Sequence, residues 1–115
     1  MSDSEILERL DFIEFRQELL FENSDISRLL FELKVTRNQY KNIMDLMDSY
    51  RESISKGKKV NHNTFEQQMY EYLPLEQRDY HNCEMICLAF MEDGRWEEVF
   101  QTLYGSMPKY AYLKK

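Results

Sequence analysis

Three residues with metal-binding or nucleophilic side chains, His81, Cys83 and Cys87, lie within seven positions of one another. Thiolate and imidazole are preferred zinc ligands, and a Cys–His pair is also the basis of many nucleophilic sites. On a helix, Cys83 and Cys87 share a face, whereas His81 lies about 200° away from Cys83. The three side chains cannot converge unless that helix breaks, and the spacings of paired zinc-binding cysteines are absent. We therefore expect two buried structural cysteines and no metal site.

Other arrangements that support catalysis are not evident in the sequence. A reactive cysteine needs an exposed thiol of low pKa, but both cysteines fall on the apolar stripe of their segment. Carboxylate pairs such as Asp45 and Asp48 are expected on hydrated faces, where nothing would raise a pKa for acid–base work. The three glycines are isolated, so no glycine-rich phosphate-binding loop exists. We expect no catalytic residue, no cofactor and no enzymatic activity.

Charge is distributed unevenly along the 115 residues, whose net charge is −6. Lys56, Lys58 and Lys59 form a short basic segment, whereas residues 63–106 hold nine acidic and two basic residues. Three lysines without a glycine-rich cradle bind phosphate weakly, so we interpret them as helix-end and solubilising charges. The acidic excess disfavours direct nucleic-acid binding, which depends on neutralising phosphates. It is compatible with mimicry of nucleic acid, although a hydrated surface is its commoner meaning.

The chain has only three glycines and two prolines, and this scarcity is typical of a helical protein. Four of the five mark predicted helix ends: Gly57, Pro74, Gly94 and Gly105. Between them apolar residues recur every three or four positions, and no stretch alternates as a strand does. We predict an all-α fold, a compact multi-helical bundle of about five or six helices. Residues 1–106 would form a single domain, and residues 107–115 a C-terminal tail that packs through Tyr110, Tyr112 and Leu113.

Capping-box spacings predict where individual helices begin. Ser2, Thr36 and Thr64 are each followed three positions later by Glu or Gln. We expect Thr64 to open a helix that Pro74 ends, and the next helix to begin near Glu76.

The first helix carries a heptad pattern. Spacings of four, three, four and three residues join its seam positions, which are Ile6, Leu10, Ile13, Gln17 and Leu20. Further apolar residues lie outside this seam: Leu7, Phe12, Phe15, Leu19 and Phe21. A helix that is apolar on more than one side needs more than one surface to cover it. We therefore predict that the seam residues form the interface of a homo-oligomer.

The order of several short motifs also resembles that of a known family. The motifs span about residues 5–104: Glu8-Arg9-Leu10, Phe31-Glu32-Leu33, Tyr40 with Ile43-Met44, a Lys-Gly loop leading to Val60 and Thr64-Phe65, Met91-Glu92-Asp93-Gly94-Arg95-Trp96, and Val99-Phe100. This pattern resembles the YhaI-like family, small helical proteins of Bacillus-type bacteria classed as a domain of unknown function. The resemblance implies an all-helical, oligomer-forming cytoplasmic protein without an assigned activity, cofactor or catalytic residue.

The N-terminal residues and the apolar runs of the chain bear on its location. Residues 1–5 lack the basic and apolar regions of a signal peptide, and the longest apolar run has seven residues against about 20 for a membrane span. We expect a cytoplasmic protein that does not contact membranes.

The leading hypothesis is a non-catalytic adaptor or regulator that forms a homo-oligomer and contacts a protein partner. The alternative is an acidic inhibitor or nucleic-acid-mimicking decoy of the kind that mobile elements encode.

Overall fold

The computed structural model describes residues 2–113, and these residues form helices without any β-strand. None of the helices described combines the length and the apolar character that crossing a membrane requires. The predicted all-α class is confirmed. The six α-helices are α1 (Asp3–Glu22), α2 (Asp25–Leu33), α3 (Arg37–Ser55), α4 (His62–Tyr70), α5 (Tyr80–Glu92) and α6 (Glu97–Leu103), and two 3₁₀ helices span Leu75–Gln77 and Pro108–Leu113.

Side-chain caps explain where most of the helices begin. Ser24 and Thr36 accept backbone hydrogen bonds three residues ahead and complete capping boxes at the starts of α2 and α3. The predicted start of α4 at Thr64 is wrong, because Asn61 is the cap and its Oδ1 accepts a 2.9 Å hydrogen bond from the Thr64 N–H. Asparagine caps helices at least as well as threonine, and here it begins the helix three residues earlier.

The segment between α4 and α5 also differs from the prediction. α4 ends at Tyr70, and Pro74 instead precedes the 3₁₀ turn Leu75–Gln77. α5 begins at Tyr80 rather than near Glu76, because Asp79 caps it by accepting a 2.7 Å hydrogen bond from the His81 N–H. A proline disfavours helical geometry in the residue before it, and an aspartate cap is a strong start signal.

The core forms around α5, which packs against α2, α4 and α6. Its largest fully buried side chains include Phe65, Phe90, Phe100 and Tyr104. The Trp96 ring stands edge-on to Phe90 with centroids 4.8 Å apart. Aromatic pairs of this geometry add to the energy of burial itself, so this cluster holds α6 against α5.

α1 extends beyond the core. The described chain measures 50 × 25 × 24 Å, and a 20-residue helix is about 30 Å long. Every residue from 2 to 11 is exposed, whereas Phe15 and Leu19 in the second half of α1 are buried against the body. The buried contacts of α1 with the body therefore lie in its C-terminal half.

The C-terminal segment packs on α5. Tyr110 donates a hydrogen bond to the buried carboxylate of Glu84, and the Lys109 ammonium also contacts that carboxylate. Leu113 is partly buried against the core, whereas Tyr112 is 72% exposed. The expected packing through Tyr110 and Leu113 is thus observed, and the expected packing of Tyr112 is wrong. Lys114 and Lys115 lie outside the described residues.

Candidate functional site

The five seam residues predicted from the heptad pattern lie together on one face of α1. The four apolar members, Ile6, Leu10, Ile13 and Leu20, are between 43% and 55% exposed, and Gln17 is exposed as well. Half-exposed aliphatic side chains in a continuous row are unusual on a monomer surface, where apolar residues are commonly scattered. The fold of the described chain therefore leaves this face, called the seam below, uncovered.

The opposite side of α1 accounts for the second apolar surface of this helix. Phe15 and Leu19 are 4% and 2% exposed and lie about 180° and about 140° round the helix axis from the centre of the seam. Arg16 reinforces this contact, because its Nη1 donates a 2.8 Å hydrogen bond to the Phe31 carbonyl and its guanidinium stacks 3.8 Å from the centroid of the Phe31 ring. One apolar side of α1 is therefore covered within the chain, and the seam is not.

Two further apolar residues border the seam. Leu7 is 65% exposed and Phe21 is 94% exposed, and each directly follows a seam residue. Both were predicted to lie outside the seam because they do not fit the heptad spacing. Because Leu7 and Phe21 directly follow Ile6 and Leu20 in the sequence, the exposed apolar patch on α1 is wider than the seam.

Charged residues on α1 fall into two groups. Asp11 and Glu18 bind Arg37 of α3 at 3.0 and 2.7 Å, so they help to fix α1 on the body. Arg9 and Glu14 lie on either side of the seam, and neither forms an ion pair with any residue between positions 2 and 113. The seam is therefore flanked by one positive and one negative side chain with free hydrogen-bonding capacity.

The residues considered as metal ligands are not brought together. Cys83 and Cys87 are fully buried in α5, as predicted, whereas His81 is exposed and bonds to Asp79. Among residues 2–113, no group of three or more His, Cys, Asp and Glu side chains is placed to hold a metal ion.

Comparison of the chain with family models, with curated proteins and with solved structures found no match. The resemblance to the YhaI-like family therefore stays a prediction.

The buried thiols lead to a prediction about reactivity. Burial raises the pKa of the Cys83 thiol to about 12 and raises that of Cys87 further, so both are protonated at pH 8. We expect the native protein to react with a disulfide reagent orders of magnitude more slowly than an exposed thiol does, and both thiols to react at once in denaturant. Rapid labelling of the native protein would instead show that α5 opens readily; the exposed variant Ser55→Cys serves as the reactive control.

Several carboxylates of the acidic segment, residues 63–106, stabilise the fold. Tyr104 donates a 2.7 Å hydrogen bond to buried Glu66, and burial together with this carboxylate raises the pKa of the Tyr104 hydroxyl. Of the nine acidic residues in 63–106, five make an internal hydrogen bond or ion pair: Glu66, Asp79, Glu84, Asp93 and Glu98. Fewer carboxylates are therefore available for a basic partner than the charge count alone indicates, which weakens the support for the decoy hypothesis.

Proposed function

We propose that this protein is a non-catalytic helical interaction protein of the cytoplasm that forms a homodimer through the seam of α1. The observation that supports this most directly is the uncovered row of Ile6, Leu10, Ile13 and Leu20 on a helix whose other apolar side is already packed. Heptad rows of this kind are covered by helices of further copies in coiled coils. The dimer would then present two copies of the body to a protein partner, in the manner of an adaptor or regulator.

A second copy of the chain fits this seam better than an unrelated partner does. A two-fold symmetric interface brings one patch against itself, so the patch must be self-complementary. The seam meets this requirement, because Arg9 and Glu14 supply opposite charges on its two sides and its centre is apolar. Each copy can therefore offer the charge that the other copy lacks.

The size of the seam indicates a dimer of moderate affinity. Covering the exposed half of an Ile or Leu side chain contributes about 1 kcal/mol, so eight such side chains contribute about 8 kcal/mol in a dimer. Association itself costs at least about 4 kcal/mol in lost motional freedom. The flanking Leu7 and Phe21 are 65% and 94% exposed, and covering these four further side chains in a dimer contributes about 4 kcal/mol more. We therefore expect dissociation in the micromolar range rather than the nanomolar range.

Sedimentation equilibrium at total concentrations from about 1 to 200 μM tests the dimer. We expect the average mass to rise from that of the 14.1 kDa chain toward twice that value. Because the seam is apolar, this rise in mass should persist in 1 M salt. At that concentration the Debye length is about 3 Å, so contacts made only by exposed charges are screened. A chain that stays monomeric throughout this range would overturn the proposal.

A further inference from the structure

We propose that the two copies of α1 pair in parallel, with their N-termini at the same end; this inference rests on the dimer proposed above. The heptad assigns each residue a position relative to the seam. Leu10 and Gln17 occupy position a, and Ile6, Ile13 and Leu20 occupy position d. The flanking positions are g, with Arg9 and Arg16, and e, with Leu7, Glu14 and Phe21.

Gln17 is the first feature that distinguishes the two orientations. In a parallel pair each a residue meets the same residue of the second copy, so the two Gln17 amides lie together and can hydrogen-bond to each other. In an antiparallel pair a positions meet d positions, so Gln17 would face Ile6 or Ile13 of the second copy. An amide that is buried against an aliphatic side chain loses its hydrogen bonds, which opposes that arrangement.

The flanking charges are the second feature. In a parallel pair, a g residue lies beside the e residue that is five positions further along the second copy. Arg9 then lies beside Glu14 of the second copy, and the two-fold symmetry repeats this pair on the other side. Both side chains are free of ion pairs within the described chain, so forming these contacts breaks none of its salt bridges.

Antiparallel pairing joins Arg9 to Glu14 in neither of the registers that keep the seam covered. Where Leu10 meets Ile13 of the second copy, Glu14 lies beside Leu7 and Arg9 lies nearest to Arg16, whose guanidinium is held on Phe31 of its own chain. Where Ile13 meets Gln17 of the second copy, Glu14 approaches Glu14. Like charges at flanking positions oppose association and thereby select against an orientation.

The fold leaves room for the parallel arrangement. Phe15 and Leu19 hold the body on the side of α1 that faces away from the seam, so each body lies outside the helix pair. Residues 2–11 extend past the core with every residue exposed. The parallel dimer would therefore have a two-stranded stem at one end and both bodies at the other.

The variant Arg9→Glu tests the orientation, because in a parallel dimer it sets a second carboxylate beside Glu14, whereas it leaves antiparallel contacts neutral or improved. We expect its dimer dissociation constant to rise roughly tenfold over the native value, as two attractive pairs become repulsive. Lys41→Glu carries the same charge change at an exposed site on α3 and should leave the constant unchanged. An unchanged or tighter Arg9→Glu dimer would overturn parallel pairing.

Mixing variants gives a second, independent readout. Glu14→Arg alone should also weaken the parallel dimer, whereas an equimolar mixture of Arg9→Glu and Glu14→Arg should associate about as tightly as the native chain. In that mixed dimer both flanking contacts join opposite charges, whereas in a dimer of either variant alone both contacts join like charges. A mixture no tighter than either variant alone contradicts the orientation. A native chain that is monomeric contradicts the dimer itself, so the two failures are distinguishable.

Discussion

Replacing Ile13 with aspartate is expected to abolish the dimer while leaving the monomer folded. Ile13 is at the centre of the seam and half-exposed, so the aspartate is hydrated in the monomer. In the dimer two carboxylates would face each other in an apolar layer, and removing charges from water without partners costs several kcal/mol. We expect the dissociation constant to rise at least about 100-fold, measured by sedimentation, with an unchanged helical circular dichroism spectrum.

A matched control separates the loss of the seam from a general effect of added charge. Leu75→Asp makes the same kind of change at a residue that is 76% exposed and far from α1 in the sequence, and should leave the dimer intact. Ile13→Ala removes apolar contact without adding charge and should weaken the dimer by about tenfold. If the Ile13→Asp dimer dissociated with the same constant as the native dimer, association would use another surface.

The largest loss of stability is expected for Trp96→Ala. The indole ring is 6% exposed, stands edge-on to Phe90 and donates a 2.9 Å hydrogen bond from Nε1 to Asp48. Truncating a buried aromatic residue to alanine costs about 3–5 kcal/mol. We expect the free energy of unfolding in urea to fall by that amount, measured at concentrations where the native chain is monomeric. A loss below about 1 kcal/mol would mean that the α5–α6 contact contributes little.

Two smaller substitutions divide this effect into packing and hydrogen bonding. Trp96→Phe keeps an aromatic ring, and Asp48→Ala keeps the indole, but both remove the 2.9 Å hydrogen bond. Each is expected to cost about 1–2 kcal/mol, less than Trp96→Ala. Asp45→Ala is the control, because Asp45 is exposed and makes no side-chain hydrogen bond or ion pair within the described residues.

Asp48 illustrates what helical periodicity can and cannot predict. The pattern of α3 placed Asp45 and Asp48 together on a hydrated face. Asp48 is indeed at the surface, but it accepts a hydrogen bond from Trp96, which is 48 positions further along the chain. Periodicity describes one helix at a time, so it cannot show which distant side chain lies over a given exposed position.

The number of helices and most of their ends follow from local signals, since Ser24 and Thr36 satisfy backbone groups only a few residues away. The starts of α4 and α5 differ from the prediction, because Asn61 caps α4 three residues before Thr64 and Asp79 caps α5 three residues after Glu76. The buried carboxylate of Glu66 could not be predicted, because its partner Tyr104 lies 38 positions away.

The exposed position of the seam could be predicted from the sequence, whereas its role as an interface stays a prediction. The seam follows from heptad spacing within one helix, and the same helix visibly has more apolar residues than one contact can cover. The sequence did not show which side of α1 would pack on the body. That choice is made by the burial of Phe15 and Leu19 against the body, with Arg16 bonded to the Phe31 carbonyl, and these are tertiary contacts.

The attachment of α1 through its C-terminal half has a consequence for dynamics. Residues 2–10 are exposed and make no side-chain hydrogen bond or ion pair with another element of the described chain, and a short helical segment without tertiary support is only marginally stable in water. In the monomer the amide hydrogens of these two to three turns should exchange with deuterium almost as fast as in an unstructured peptide, whereas those around Phe15 and Leu19 should be protected. Dimerisation would then stabilise the N-terminal turns of α1 as the two helices pair. Slow deuterium exchange in this segment would therefore report the fraction of chains that are dimeric.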